Sequence, residues 1–366
     1  MDTAMLDKPG WRLGALDLLR GLDMFLLAVV GPLVRAANAA WGLPSPIVFQ
    51  FNHQWGGFTL WDLIMPLFIF MSGAAVPLAM RRRLDAEGCP TAAFWRHLAW
   101  RFAMLWVLGM VAQGRLLTLD VMKISPYSNT LQAIAVGYFV TCLAFIAKPK
   151  WFRPALAIAC VAVYGLVMAC CGDYTKTGNA AYLFDMVVLR HLVPAGSAAF
   201  ETGGYTWFLT SFMFAAMALA GCVATEILLS PRTPRGRLVM LGGTGAALLA
   251  AGWALVPAVP MVKHYFSASF TMQAVGWSML ALAACYALVD MAGRRRGLAV
   301  IFLFGRDALF VYICHTVLRP MFKAFGELAT VGVPHVAGEA AGTFAAAFAS
   351  AALLVFLVWR RARMRR

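Results

Sequence analysis

Apolar runs of about 20 residues recur ten times along this chain, each long enough to span a hydrocarbon core about 30 Å thick. They fall near 14–36, 59–80, 102–119, 128–147, 154–172, 206–228, 238–259, 268–291, 298–318 and 338–359. Backbone groups in lipid must be bonded within their own segment, so each run is expected to be a helix. The fold class is therefore all-α: a polytopic integral membrane helical bundle of about ten transmembrane helices. With 62% hydrophobic and 13% charged residues and a mean hydropathy of +0.75, the 366-residue chain is excluded from the soluble globular class. No stretch reads as a domain-separating linker, so 1–366 is expected to be one transmembrane domain.

The net charge of +15 is not spread evenly. Basic residues cluster between alternate runs, at Arg81, Arg82 and Arg83, at Lys148, Lys150 and Arg153, at Arg232, Arg235 and Arg237, at Arg294, Arg295 and Arg296, and in the terminal RRARMRR. Positive charge is retained on the cytoplasmic side, which places both termini there. A basic rim facing anionic membrane lipid accounts for the charge, and a nucleic-acid partner is not expected. The first residues lack a cleavable signal pattern, so the first run should remain in the mature protein. Eight cysteines without a C-x-x-C, most of them inside apolar runs, read as buried thiols and predict no metal site.

Against this background, ionisable residues beside apolar runs stand out as functional candidates. In FNHQWGGFTLWDLIMPLFIFMSG, His53 precedes Asp62 by nine residues, too far for a helical pair. A turn at Gly56 and Gly57 would fold the histidine back over the helix mouth. Asp62 could then orient the imidazole, as in a catalytic dyad, or simply cap the helix. Near the other end, Asp307 and His315 flank another apolar run. In LDLLRGLDMF, Asp17, Arg20 and Asp23 recur at i, i+3 and i+6, suited either to a structural ion pair or to an arginine meeting a ligand's anionic group. Gln132 lies in the fourth run, Glu201 at the mouth of the sixth, and Lys263, His264, Ser267 and Ser269 just before the eighth. These, with Trp55, read first as interfacial or interhelical residues. The longest connecting stretches, about 37–58, 173–205 and 319–337, carry turn chemistry. No clear inverted repeat is visible.

Taken together, these segments resemble the heparan-α-glucosaminide N-acetyltransferase family and its bacterial homologues, within the wider group of transmembrane acyltransferases. The resemblance is carried by RLGALDLLRGLDMF and by the second motif at His53, Trp55, Gly57, Thr59, Asp62 and Pro66. TLQAIAVGY, ETGGYTWFL, VPMVKHYFSASF and GRDALFVYICH follow in the family's order, in more degenerate form. It implies acetyl transfer from cytosolic acetyl-CoA, as co-substrate, to an amino group of a sugar or glycan on the far side of a bacterial inner membrane. His53 would be the catalytic histidine with Asp62 beside it. Asp17, Arg20, Trp55, Gln132, Glu201, Lys263, Ser267, Asp307 and His315 would be candidates for substrate or cofactor contacts. The chain departs from the family pattern at Gly31, Val262 and Asp307, where the family has asparagine, and at Ala133, where it has arginine.

An amine attacking a thioester must be neutral, the carbonyl polarised and water excluded. His53 suits the role of general base, and imidazole is also a competent acyl acceptor. The acidic end of CoA would meet inner-face arginines such as Arg20, Arg81 and Arg82. A homodimer is compatible with this scheme. The alternative from another class is a proton-coupled transporter or flippase of a sugar or glycolipid, relaying protons through His53 and Asp62.

Overall fold

The computed structural model describes residues 13–80, 90–147 and 149–365. Lys8, Arg12, Arg81, Arg82, Arg83, Cys89, Lys148 and Arg366 lie outside the described residues. Every regular element among those described is helical. Among the described residues, six helices are long and apolar enough to cross a membrane: Leu60–Met80, Phe152–Cys170, Ser211–Leu228, Pro234–Leu255, Ala268–Met291 and Glu339–Met364. The chain is an integral membrane protein of the all-α class.

The other expected spans are helical but interrupted, short or charged. The first runs through Gly14–Phe25, a π-helical turn at Leu26–Val30, and Gly31–Trp41. Pro32 is the cause: it has no N–H to give the Ala28 carbonyl, and the Gly31 N–H reaches back to the Leu26 carbonyl instead. In place of the third expected span, 102–119, the helix is Ala92–Ala112, which starts ten residues earlier, ends seven earlier and carries Arg96 and Arg101. The fourth, Thr130–Ile146, has 17 residues. The ninth is broken by 81° between Ala299–Arg306 and Ala308–Thr316, and counts as a seventh crossing if the two halves form one span. The long connecting stretches also hold helices, Ser45–Gln50, Ala180–Leu192 and Arg319–Ala329, where turn chemistry alone was expected.

The described residues group into two compact units. One comprises Trp55–Phe58 and Met65–Ala283; the other comprises the chain up to Gln54, Thr59–Ile64 and the chain from Ala284 on. In the first unit Ser211–Leu228 is the central helix, buried along most of its length and packed on Phe152–Cys170 and Thr130–Ile146. Small residues permit the close approach that holds helices together where lipid supplies no hydrophobic drive. A Cβ on Gly221 would overlap the Phe70 carbonyl oxygen. Side chains start the helices of this unit: Thr91, Asn129, Asn179 and Thr233 each accept a backbone N–H of the first turn. Arg153, almost wholly buried, pairs with Glu226 at 2.7 Å.

In the second unit Gly14–Phe25 packs on Ala299–Arg306, and Glu339–Met364 packs on both Gly31–Trp41 and Arg319–Ala329. The Asp290 carboxylate accepts the Gly14 and Ala15 N–H groups, at 3.2 and 2.8 Å, and so caps the first helix from a distant part of the chain. Of the described cysteines, Cys142, Cys160, Cys222, Cys285 and Cys314 are buried as expected, whereas Cys170 and Cys171 are exposed.

Two outcomes follow for the first unit. Gly221→Ala should cost about 1–3 kcal/mol, seen as a fall in unfolding temperature of the detergent-purified protein. Gly243→Ala, with no neighbour within 4 Å of the added carbon, should leave that temperature unchanged. Buried Asp185 accepts the Trp207 and Phe208 N–H groups at 2.5 and 3.1 Å, and burial pushes its carboxyl from 3.8 up to about 6. The folded state therefore binds the proton more tightly than the unfolded chain, and stability from this group is lost as pH rises from about 4 through about 6. Unfolding temperatures of wild type and Asp185→Asn across that window should show the wild type losing more.

Candidate active site

The helix Leu60–Ala74 begins with Thr59 and Asp62 capping each other. The Asp62 N–H donates to the Thr59 hydroxyl oxygen at 3.3 Å, and the Thr59 N–H and hydroxyl lie 3.2 and 2.8 Å from Asp62 Oδ2. This is a capping box with aspartate in the third helical position. A further N–H of the first turn, that of Leu60, donates to Gln50 Oε1 at 2.9 Å. Both Thr59 and Asp62 are fully buried.

The second carboxylate oxygen does a different job. Asp62 Oδ1 lies 2.7 Å from His53 Nδ1. Between the two residues the chain reverses at Gly57, whose φ of +100° lies in the region that favours glycine. Phe51 packs on Trp61 at 6.0 Å between ring centroids, tying the approach to His53 to the same helix end. The capping and orienting roles that the sequence leaves as alternatives for Asp62 are thus divided between its two oxygens. Because the Thr59 N–H can only donate, the carboxylate acts there as acceptor, and the tautomer that satisfies Oδ1 carries its proton on Nδ1. The His53 side chain is 39% exposed beside a fully buried carboxylate, with Nε2 on the ring edge opposite Asp62.

The other predicted site residues are dispersed. Arg20 pairs with Asp17 at 3.6 Å, while Asp23 is turned into the core, where its Oδ2 makes no hydrogen bond. Gln132 is buried and bonded to loop backbone, accepting the Ser128 N–H and donating to the Pro126 carbonyl. Ser267 accepts the Val262 N–H and sits 3.1 Å from Ser269. Buried Lys263 is in the same turn, and Glu201 lines a separate small cavity of about 180 Å³ that also includes Asp185. Trp55 stacks on His264 at 4.7 Å, and Tyr205 stacks on the same imidazole at 4.3 Å. Asp307 lies at the 81° corner and accepts from Arg361 at 3.3 Å and Arg365 at 2.5 Å. His315, at the end of the following helix, lines a cavity with Arg35 and Arg319.

One contributor escapes a reading of the sequence. Arg35 holds its guanidinium over the Trp61 ring at 4.8 Å, and Gly31 packs directly on the same indole. Trp61 itself reads in the sequence as an aromatic-belt residue.

Both links of the His53–Asp62–Thr59 chain should register in stability measurements. Thr59→Ala removes a cap and should cost about 1 kcal/mol. His53→Ala takes a donor from the buried Asp62 carboxylate and should cost about 1–3 kcal/mol, both read from thermal unfolding in one detergent.

Over 383 aligned residues the chain is 24% identical to heparan-alpha-glucosaminide N-acetyltransferase of Homo sapiens, covering 85% of this chain and 55% of that protein. The Mus musculus protein of the same name is 23% identical over 381 residues, with 87% and 55% covered. The chain therefore spans about half the length of these relatives. The family model described as Domain of unknown function (DUF5009) matches residues 12–214, a segment that contains His53, Thr59 and Asp62. Similar to the N-acetyltransferases over most of its length and matched over more than half of it by that model, the chain belongs to the DUF5009 family.

Proposed function

We propose that this chain is a membrane N-acetyltransferase of a bacterial inner membrane, moving an acetyl group from cytosolic acetyl-CoA to an amino group of an extracytoplasmic amino sugar or glycan. The observation that carries this reading is the His53–Asp62 contact of 2.7 Å, which engages the imidazole through Nδ1. The likeness to proteins named for N-acetyl transfer to a glucosaminide supports the choice of acyl group and acceptor.

Acetyl-CoA supplies an activated thioester carbonyl and a thiolate leaving group. His53 Nε2 takes the proton that the amine sheds as its nitrogen bonds to the acetyl carbon and the carbon–sulfur bond breaks. Asp62 stabilises the resulting imidazolium through Nδ1, and the same proton then returns from Nε2 to the departing sulfur. Thr59 keeps Asp62 in register through the cap. At the nucleotide end, Arg20 and the exposed Arg294, Arg295 and Arg296 are guanidiniums chemically suited to phosphates. Arg81 and Arg82, expected in the same role, lie outside the described residues.

The test incubates purified protein with acetyl-CoA and a panel of amino sugars and detects acetylated product by mass spectrometry. Wild type should acetylate at least one of them. His53→Ala should lower the rate by about 10²–10⁴-fold and Asp62→Asn should also lower it. Unchanged acetylation in His53→Ala, or proton-coupled sugar uptake into vesicles that needs no CoA, would overturn the assignment.

A further inference from the structure

Within the second unit, the helices Gly31–Trp41, Ala308–Thr316, Arg319–Ala329 and Glu339–Met364 line a half-open cavity of about 770 Å³. That size lies in the range of small-molecule sites, roughly 300–1,000 Å³. Its charged lining is uneven. Lys323 and Glu327 neutralise each other at 3.6 Å on one side. Arg35, Arg319 and His315 line it without such a partner: among the described residues no carboxylate forms an ion pair with either guanidinium, although Glu339 lines the same cavity. The two guanidiniums lie within Coulombic reach of each other and of the imidazole.

Arg35 is held in this unfavourable company by construction. Its guanidinium rests on the Trp61 indole, 4.8 Å from the ring centroid, and Trp61 can sit there because Gly31 has no Cβ to meet its six-membered ring. Arg35 is half-withdrawn from water and faces the like charge of Arg319, a repulsion that an anion between them would relieve. Guanidiniums bind tetrahedral oxyanions through paired N–H donors, and an imidazole nitrogen beside them adds a third.

We propose, independently of the acetyl-transfer chemistry, that Arg35, Arg319 and His315 form a binding site for the phosphate group of a polar ligand whose body occupies the rest of the cavity. The phosphate comes either from a soluble sugar phosphate or from the headgroup of a membrane phospholipid.

The full chain, purified in a zwitterion-free detergent, is titrated with glucosamine 6-phosphate, with glucosamine, and with short-chain phosphatidylglycerol, and binding is read from unfolding temperature and native mass spectrometry. Any shift with glucosamine should be unaffected by the arginine substitutions. At least one phosphate compound should bind wild type, with affinity about 10-fold or more weaker in Arg35→Gln and in Arg319→Gln and changed less than about 3-fold in Lys323→Gln. Arg319 is exposed, so its variant retains the fold should Arg35→Gln prove unstable. A response to glucosamine 6-phosphate alone assigns the site to a soluble ligand, and a response to phosphatidylglycerol alone assigns it to a lipid headgroup. His53→Ala should bind as wild type does, which separates this site from the proposed base. No binding of either phosphate compound, or binding indifferent to both arginine substitutions, would overturn the proposal.

Discussion

The Asp62 carboxylate is the point on which the candidate site depends. A carboxylate buried in a membrane protein is costly unless every oxygen is engaged by a donor. Here one oxygen closes the capping box with Thr59 and the other meets His53. The two engagements reinforce each other. The cap fixes the carboxylate relative to the helix axis, and a fixed carboxylate fixes the imidazole. Pro66 adds to this economy of groups, since it has no N–H to give the carbonyl of Asp62 four residues earlier. The mouth of this helix is thus defined by side chains more than by the regular backbone ladder.

Much of this was legible in the sequence because it is local. A threonine three residues before an aspartate, ahead of an apolar run, signals a helix start, and paired glycines between His53 and Asp62 signal the reversal that brings them together. Helical character was equally legible in all ten apolar runs. What the sequence did not reveal depends on distance along the chain. Asp307 stands out beside an apolar run, but the arginines that its carboxylate accepts from lie 54 and 58 residues away. Gln132 reads first as an interfacial or interhelical residue, and the bonds of both ends of its amide to the adjacent loop backbone do not show in its position. Arg35 drew no notice because its significance comes from Trp61, Arg319 and His315, none of which is near it in sequence.

Gly31 shows how a departure from a family pattern acquires a physical meaning. An asparagine there would carry a Cβ into the ring of Trp61. Displacing the ring would also remove the platform beneath Arg35. The glycine is therefore coupled to the tryptophan and, through it, to the charge that lines the large cavity. A helix position without a polar side chain here makes room for an aromatic one.

The π-helical turn at Leu26–Val30 extends this lesson to the reading of spacings. A regular α-helix advances by about 100° per residue, and one wide turn takes up an additional residue. Everything beyond it is rotated by about that angle relative to a helical wheel drawn from Asp17 and Arg20. Arg35 consequently points in a direction that its separation from Arg20 would not forecast. Intervals counted through such an insertion retain their length but lose their azimuth.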